Sequence, residues 1–409
     1  MSRRPLPGLT AGLAVAAVLT ACAPEQATPP PSSAPPSPTT STQGPAGASP
    51  PPSSSPSPTA TSCADLAASL TREEQVGQLL MVGISANQPP SDGLVEQVEG
   101  SSISSILLLE NTTVGLEAVK ELTDAVRQQL DTPEGIDTLV AADQEGGLVQ
   151  RLQGPGFTPI PSAAEQAELG TDELRSAAEG WGEELSDAGV DMDLAPVADV
   201  VPEGLVQVNE PIGKLDRGYG SDPEVVAEKV QAVVEGLQAG GVATSVKHFP
   251  GIGRVRGNTD FTADVVDDET TVAGGDLRPF QDAVDAGADS VMVSTVTYTR
   301  IDEDEQAVFS DDVITDLLRG DLGFDGVVVS DDMGVAAAVA STPVEDRLVE
   351  FLEAGGDLAI TADPLTVDAM VQGVLDQAED DEALAASLPE HVERVLTMKA
   401  RYGLADCEG

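Results

Sequence analysis

Four times in this chain an amphipathic stretch ends in Ala-Gly and is followed within a few residues by a short apolar run: Ala188-Gly189, Ala239-Gly240, Ala286-Gly287 and Ala354-Gly355. Glycine adopts the left-handed conformation that closes an α-helix without a steric cost, so each pair reads as a helix end delivering the chain to a strand. The apolar runs themselves read as strands at Gln78–Ile84, Ser105–Leu109, Thr138–Ala142, Val190–Val197, Ala243–Val246, Ser290–Ser294, Gly326–Ser330 and Leu358–Thr361. Parallel strands need a crossover, and the intervening helices supply it, so the repetition points to a parallel α/β fold. Eight such units, with no Gly-rich dinucleotide fingerprint after the first strand, favour a TIM-type (β/α)8 barrel as a single catalytic domain, with an open doubly wound sheet as the alternative.

The start of the chain does not share this pattern. Arg3 and Arg4 precede an apolar run from Leu9 to Leu19 that is too short to span a bilayer and has the layout of a signal peptide. It closes on Leu19-Thr20-Ala21-Cys22, which resembles the bacterial lipobox, where cleavage precedes a cysteine that is then acylated. Residues 1–22 are therefore expected to export the chain by the Sec or twin-arginine route and to leave it lipid-anchored through Cys22 on the outer face of the cell membrane. Residues 23–62 are almost entirely Pro, Ser, Thr, Ala, Gly and Gln, with nothing to bury, and read as a disordered tether. The enzyme-like region is 63–409. An oxidising compartment favours pairing of the two remaining cysteines, Cys63 and Cys407, which flank that region, and a disulfide between them is predicted.

Seventy acidic residues stand against 20 Lys and Arg, a formal charge of -50 that repels nucleic acid and anionic lipid head groups alike. A nucleic-acid partner is thereby excluded, and contact with a membrane is expected through the lipid alone. The apolar content, 41%, is enough for one large core, and a monomer is expected.

In a barrel, chemistry collects where the strands end, because the βα loops build that face. The third predicted strand runs into Asp143-Gln144-Glu145-Gly146-Gly147, the fifth into Lys247-His248-Phe249-Pro250-Gly251 and the seventh into Ser330-Asp331-Asp332. A carboxylate closing an apolar strand is costly to desolvate without a partner, so Asp143 and Asp331 are expected to meet a cation, a hydroxyl-rich ligand or each other. The only histidines are His248 and His391, which rules out a multi-histidine metal site; no Gly-x-Ser-x-Gly elbow, phosphate loop or nicotinamide fingerprint occurs, and nothing calls for a cofactor. Paired acids on the rim, with Lys, His and Arg at hand to bind hydroxyls, describe glycoside hydrolysis.

The same segments carry a family resemblance. Asp143 through Arg151, Leu194-Ala195-Pro196-Val197, Arg217-Gly218-Tyr219-Gly220, Lys247 through Gly251 and Ser330-Asp331-Asp332-Met333 resemble, in order and spacing, the family 3 glycoside hydrolases, and among them the single-domain β-N-acetylglucosaminidases (β-N-acetylhexosaminidases) that trim peptidoglycan fragments. The resemblance implies an exo-acting, retaining enzyme that removes terminal N-acetylglucosamine through a covalent intermediate on Asp331. It also implies that Asp143, Arg151, Arg217, Lys247 and His248 hold the hydroxyls of the sugar preceding the cleaved bond. Lys247 and Arg217 are expected to keep Asp331 or Asp143 ionised by charge pairing.

The pattern departs from the family at the loop after strand five. Single-domain members carry an Asp-Ser-His element there, whose histidine moves the proton; here the aligned residues are Asn258-Thr259-Asp260, and no other loop histidine exists. Asp260 is the candidate acid and base, provided its surroundings raise its pKa. Leu148 and Thr295 stand where many relatives carry Arg and His, and Ile252 suggests a loop able to pack over bound sugar. Two alternatives stay open: a β-glucosidase or β-xylosidase on the same barrel, and a sugar-binding lipoprotein with weak or no catalysis.

Overall fold

The computed structural model describes residues 61–88, 98 and 100–409, all within one compact unit, Pro58–Gly409. Cys22, the segment 1–22 and nearly all of the 23–62 tether lie outside the described residues. Eight strands close into a parallel barrel in chain order: Leu80–Ser85, Ser105–Leu109, Leu139–Ala142, Met192–Asp193, Ala243–Phe249, Ser290–Val293, Val327–Asp332 and Leu358–Thr361, the eighth pairing with the first. The strands read as apolar runs without alternation because both of their faces are covered, by barrel interior on one side and helices on the other. Val140, Ala141, Val246, Val291, Val328 and Leu358 are all fully buried. The TIM-type reading holds, and the open sheet is discarded.

A local device recurs at the entry to the strands. In Ala188-Gly189-Val190-Asp191, Ala286-Gly287-Ala288-Asp289 and Ala354-Gly355-Gly356-Asp357, the glycine after the alanine is left-handed, with φ of 74°, 82° and 101°. Each following aspartate clasps the preceding strand of the barrel: Asp191 accepts from Val140 N–H (2.8 Å), Asp289 from Thr244 N–H (3.1 Å) and Asp357 from Val328 N–H (2.8 Å). Arg319, Arg394 and His391 complete the shell of buried Asp357. His391 is thus occupied at the end of the barrel remote from the strand exits. The remaining pair, Ala239-Gly240, differs: Gly240 is right-handed and Gly241 takes the positive φ of 89°.

Four strands depart from the sequence reading by two residues or more at an end. The first strand begins at Leu80, because Gln78 ends the helix Arg72–Gln78 and turns its amide to Ser102 and Ser104. Only Met192–Asp193 of the predicted fourth strand makes a continuous ladder; Pro196 has no N–H to donate, and pairing resumes where Val197 bridges to Lys247. The fifth and seventh strands run on, to Phe249 and Asp332, so Lys247, His248, Asp331 and Asp332 belong to the strands themselves. Lys247, His248 and Asp332 can extend these strands because groups on neighbouring strands and loops satisfy them.

The ends of the described unit meet. Ser62 caps the helix Cys63–Ser69, Glu408 N–H reaches Thr61 O (2.9 Å), and a disulfide joins Cys63 to Cys407.

Candidate active site

Asp143 follows the third strand, and the chain then doubles back through a tight hairpin of Gln144–Gly146 and Val149–Gln150. Gly146 permits the turn: its φ is 102°, and a Cβ there would lie 2.2 Å from Pro161 O. The Gln144 amide locks the hairpin by donating to Leu152 O (2.8 Å) and accepting from Leu152 N–H (3.0 Å). Asp143 and Glu145, two positions apart in extended chain, share one face and point into the barrel mouth.

The fifth strand delivers the cation for both. Lys247 Nζ lies 2.7 Å from Asp143 Oδ1 and 2.7 Å from Glu145 Oε1. Arg217 grips Glu145 with two bonds, Nε to Oε2 (2.8 Å) and Nη2 to Oε1 (2.6 Å), in the planar fork that carboxylates fit best. Arg151 returns from the hairpin to stand 3.9 Å from Asp143 Oδ2, and its Nη1 donates to Asn111 (3.0 Å). Burial alone would push the Glu145 carboxyl up, but Arg217 and Lys247 outweigh it and hold it well below the usual carboxylate range. Burial works against the charge of Lys247 too, yet Asp143 and Glu145 raise its pKa. The result is a fixed lattice of alternating charge in which Glu145 and Lys247 are each held in the charged form by the other.

Lys247 therefore pairs with Asp143 as expected, whereas Arg217 belongs to Glu145, and neither cation pairs with Asp331. Glu145 stands within the Asp143–Arg151 motif but has no role in the sequence reading; its place two residues beyond Asp143 is the sequence signal for it. Beneath this layer Asp193 is fully buried, accepting Gln144 N–H (2.9 Å), and burial pushes its carboxyl up to about 7.

His248 is held from behind by Asp199, a residue the sequence reading did not single out. Asp199 Oδ2 lies 2.7 Å from Nδ1, so that nitrogen carries the proton, and Nε2 faces Arg217 Nη2 at 3.5 Å. The other Asp199 oxygen accepts from the N–H groups of His248 (3.3 Å) and Ile252 (2.7 Å). Ile252 is buried, so it is part of the packed floor and not of a solvated lid.

At the seventh strand two adjacent carboxylates are employed differently. Asp332 is filled by four backbone donors: Gly334 (2.9 Å) and Ala362 (2.8 Å) at Oδ1, Val335 (2.9 Å) and Ala336 (3.0 Å) at Oδ2. Asp331 accepts only Asp332 N–H (2.9 Å) among the described residues and borders the open cavity.

The loop after strand five lines the same cavity. Asn258 makes the loop's turn, with its side chain accepting Asp260 N–H (2.9 Å) and its carbonyl accepting from Phe261 and Thr262. Asp260 is thereby free of a capping role. Its side chain is open to solvent on one side and enclosed by the two loops on the other. That enclosure, followed by the charge of Asp331, raises its pKa against the pull of His248 and Arg217.

Asp143, Arg151, Arg217, Lys247, His248, Asp260 and Asp331 all line one cavity of about 490 Å³. Leu148 and Thr295 do not: Leu148 is exposed at the hairpin tip, and Thr295 is buried away from the opening.

The sequence matches the model of the glycosyl hydrolase family 3 N terminal domain over residues 71–398. A β-hexosaminidase of Xanthomonas campestris pv. campestris (strain B100) is 32% identical over 314 residues, covering 75% of this chain and 91% of that protein. The crystal structure of a β-N-acetylhexosaminidase from Beutenbergia cavernae superposes with a TM-score of 0.79 at 41% identity, over 81% of this chain and 99% of that one. A family 3 β-N-acetylglucosaminidase from Paenibacillus superposes with a TM-score of 0.71 at 29% identity, over 82% of this chain and 63% of that one.

Proposed function

Because the chain belongs to glycosyl hydrolase family 3, and is a glycoside hydrolase, we propose that it removes terminal β-linked N-acetylglucosamine from peptidoglycan-type fragments with retention of configuration. The observation that carries this reading is the pairing of an unencumbered carboxylate, Asp331, with a second carboxylate of raised pKa, Asp260, in the lining of one cavity. The relatives named as β-hexosaminidases and β-N-acetylglucosaminidases support the amino sugar.

In the proposed first step an Asp331 oxygen attacks the anomeric carbon while the bond from that carbon to the glycosidic oxygen breaks. Protonated Asp260 gives its proton to the departing oxygen, so no alkoxide leaves. In the second step Asp260, now ionised, takes a proton from water as the water oxygen attacks the same carbon, and Asp331 is released. Two inversions leave the configuration unchanged. Asp143, Lys247, Arg151 and His248 bind the sugar hydroxyls in a geometry fixed before substrate arrives, which removes an ordering cost from the reaction.

A panel of 4-nitrophenyl β-glycosides of N-acetylglucosamine, glucose and xylose, with wild type and Asp331→Asn, tests the reading. Turnover is expected for the N-acetylglucosaminide and lost in Asp331→Asn. Faster turnover of the glucoside or xyloside would replace it with the β-glucosidase or β-xylosidase reading, and binding without turnover of any would leave a sugar-binding protein. We also propose that the chain is exported and acylated at Cys22, which would hold the barrel on a tether near cell-wall fragments.

A further inference from the structure

The geometry points to Phe261, supported by Val335, as the platform that receives the leaving sugar of the substrate and so sets a preference for a pyranose aglycone. This inference rests on the proposed glycosidase reading. Of the seven phenylalanines, Phe157, Phe249, Phe280, Phe324 and Phe351 are buried and Phe309 is partly buried, whereas Phe261 is 83% exposed. Single exposed apolar residues are ordinary and need no explanation. Here two come together: Val335, 62% exposed, lines the same cavity from a different loop. The exposed Leu148 and Leu365 do not touch that cavity.

Both residues are held in place without burying their side chains. Ala337 and Ala338 N–H donate to the carbonyls of Asp260 (3.2 Å) and Thr259 (3.1 Å), tying the Phe261 loop to the loop that follows strand seven. Asp332 pins Val335 and Ala336 from below through their N–H groups. The chain thus places an aromatic ring and an aliphatic side chain at the lining of the cavity, mostly exposed, where folding gains little from them.

The occupant follows from the layout. Of the charged hydroxyl binders, Lys247 is buried with Asp143 paired to it, and Asp260 is the neighbour of Phe261 in the chain. A sugar seated against these binders with its anomeric carbon at Asp331 directs its leaving group outward past Asp260, to Phe261. A pyranose ring presents C–H groups on its faces and hydroxyls at its edge, which suits an apolar ring beneath and water around.

The test uses a thio-linked disaccharide of N-acetylglucosamine, which resists hydrolysis, and the free monosaccharide, titrated by calorimetry into otherwise wild-type protein. The disaccharide is expected to bind about tenfold more tightly than the monosaccharide, the advantage to vanish in Phe261→Ala, and Phe261→Trp to restore it. Since Phe261 is exposed, the melting temperature of Phe261→Ala should match wild type, which separates lost binding from lost fold. Equal affinity for the two sugars in wild type, or an undiminished advantage in Phe261→Ala, overturns the platform. Neither result depends on turnover, so failure of the glycosidase reading in the aryl glycoside panel is recognised separately.

Discussion

Asp331 and Asp332 leave the seventh strand side by side, yet four backbone N–H groups occupy Asp332 and one occupies Asp331. The second carboxylate builds the loop, and that construction frees the first for chemistry. Asp331→Asn should keep the wild-type melting temperature and lose at least about a thousandfold in kcat/KM, since it removes an interaction made only in the transition state. Asp332→Ala should instead lose about 2 to 4 kcal/mol of stability by stranding its donors, with activity falling as a consequence. Thermal melts paired with kinetics on the aryl N-acetylglucosaminide check both, and an inactive Asp332→Ala with the wild-type melting temperature would reverse the assignment.

Asp260 must be protonated when the leaving oxygen departs, so kcat/KM should fall as pH rises through its raised pKa. In Asp260→Ala that alkaline limb should vanish. The variant should lose on the order of a hundredfold or more on the disaccharide, whose leaving group needs the proton, and much less in the first step with 4-nitrophenolate, which does not. Azide, a nucleophile that needs no general base, should restore turnover of the variant and give the β-glycosyl azide. An α-azide, or equal losses on both substrates, would dismiss Asp260 as the proton carrier and, in the first case, retention as well.

The barrel was legible because its grammar is local. Ala-Gly helix ends and apolar runs are written in adjacent residues, and they place all eight strands. The ends of those strands were less legible, because Lys247 and His248 look like loop residues until Asp143, Glu145 and Asp199 satisfy them, and Asp331 stays open to the cavity. Partnership was the hardest to read: Arg217 and Glu145 are far apart in sequence, and nothing local says that Arg217 binds Glu145 and not Asp331. Asp199 behind His248 was hidden for the same reason. The aspartates Asp191, Asp289 and Asp357 have structural work, clasping strands at the end of the barrel away from the cavity.

Acylation at Cys22 has its own signature. Cells expressing the full chain and fed an alkyne-tagged fatty acid should label the protein and retain it in the membrane fraction, and Cys22→Ala should lose both the label and the membrane association. Release of the wild-type protein into the medium without label would remove the anchor from the proposal and leave the barrel's chemistry untouched.

The charge lattice around Glu145 makes the site a part of the fold's stability. Its folded pKa is depressed, so between the ordinary glutamate value and the lowered one the unfolded chain binds a proton that the folded chain does not. The stabilisation is accordingly complete above about pH 4.5 and is lost as pH falls below it toward the folded value. Glu145→Gln keeps the shape but strands Arg217 and Lys247 in a buried place, which should cost about 3 to 5 kcal/mol near neutral pH. Denaturant melts from pH 7 to pH 3 should show the gap between wild type and variant narrowing on the acid side. A gap constant across that range would mean that Glu145 carries no more charge in the folded protein than in the unfolded chain, contrary to its position between two cations.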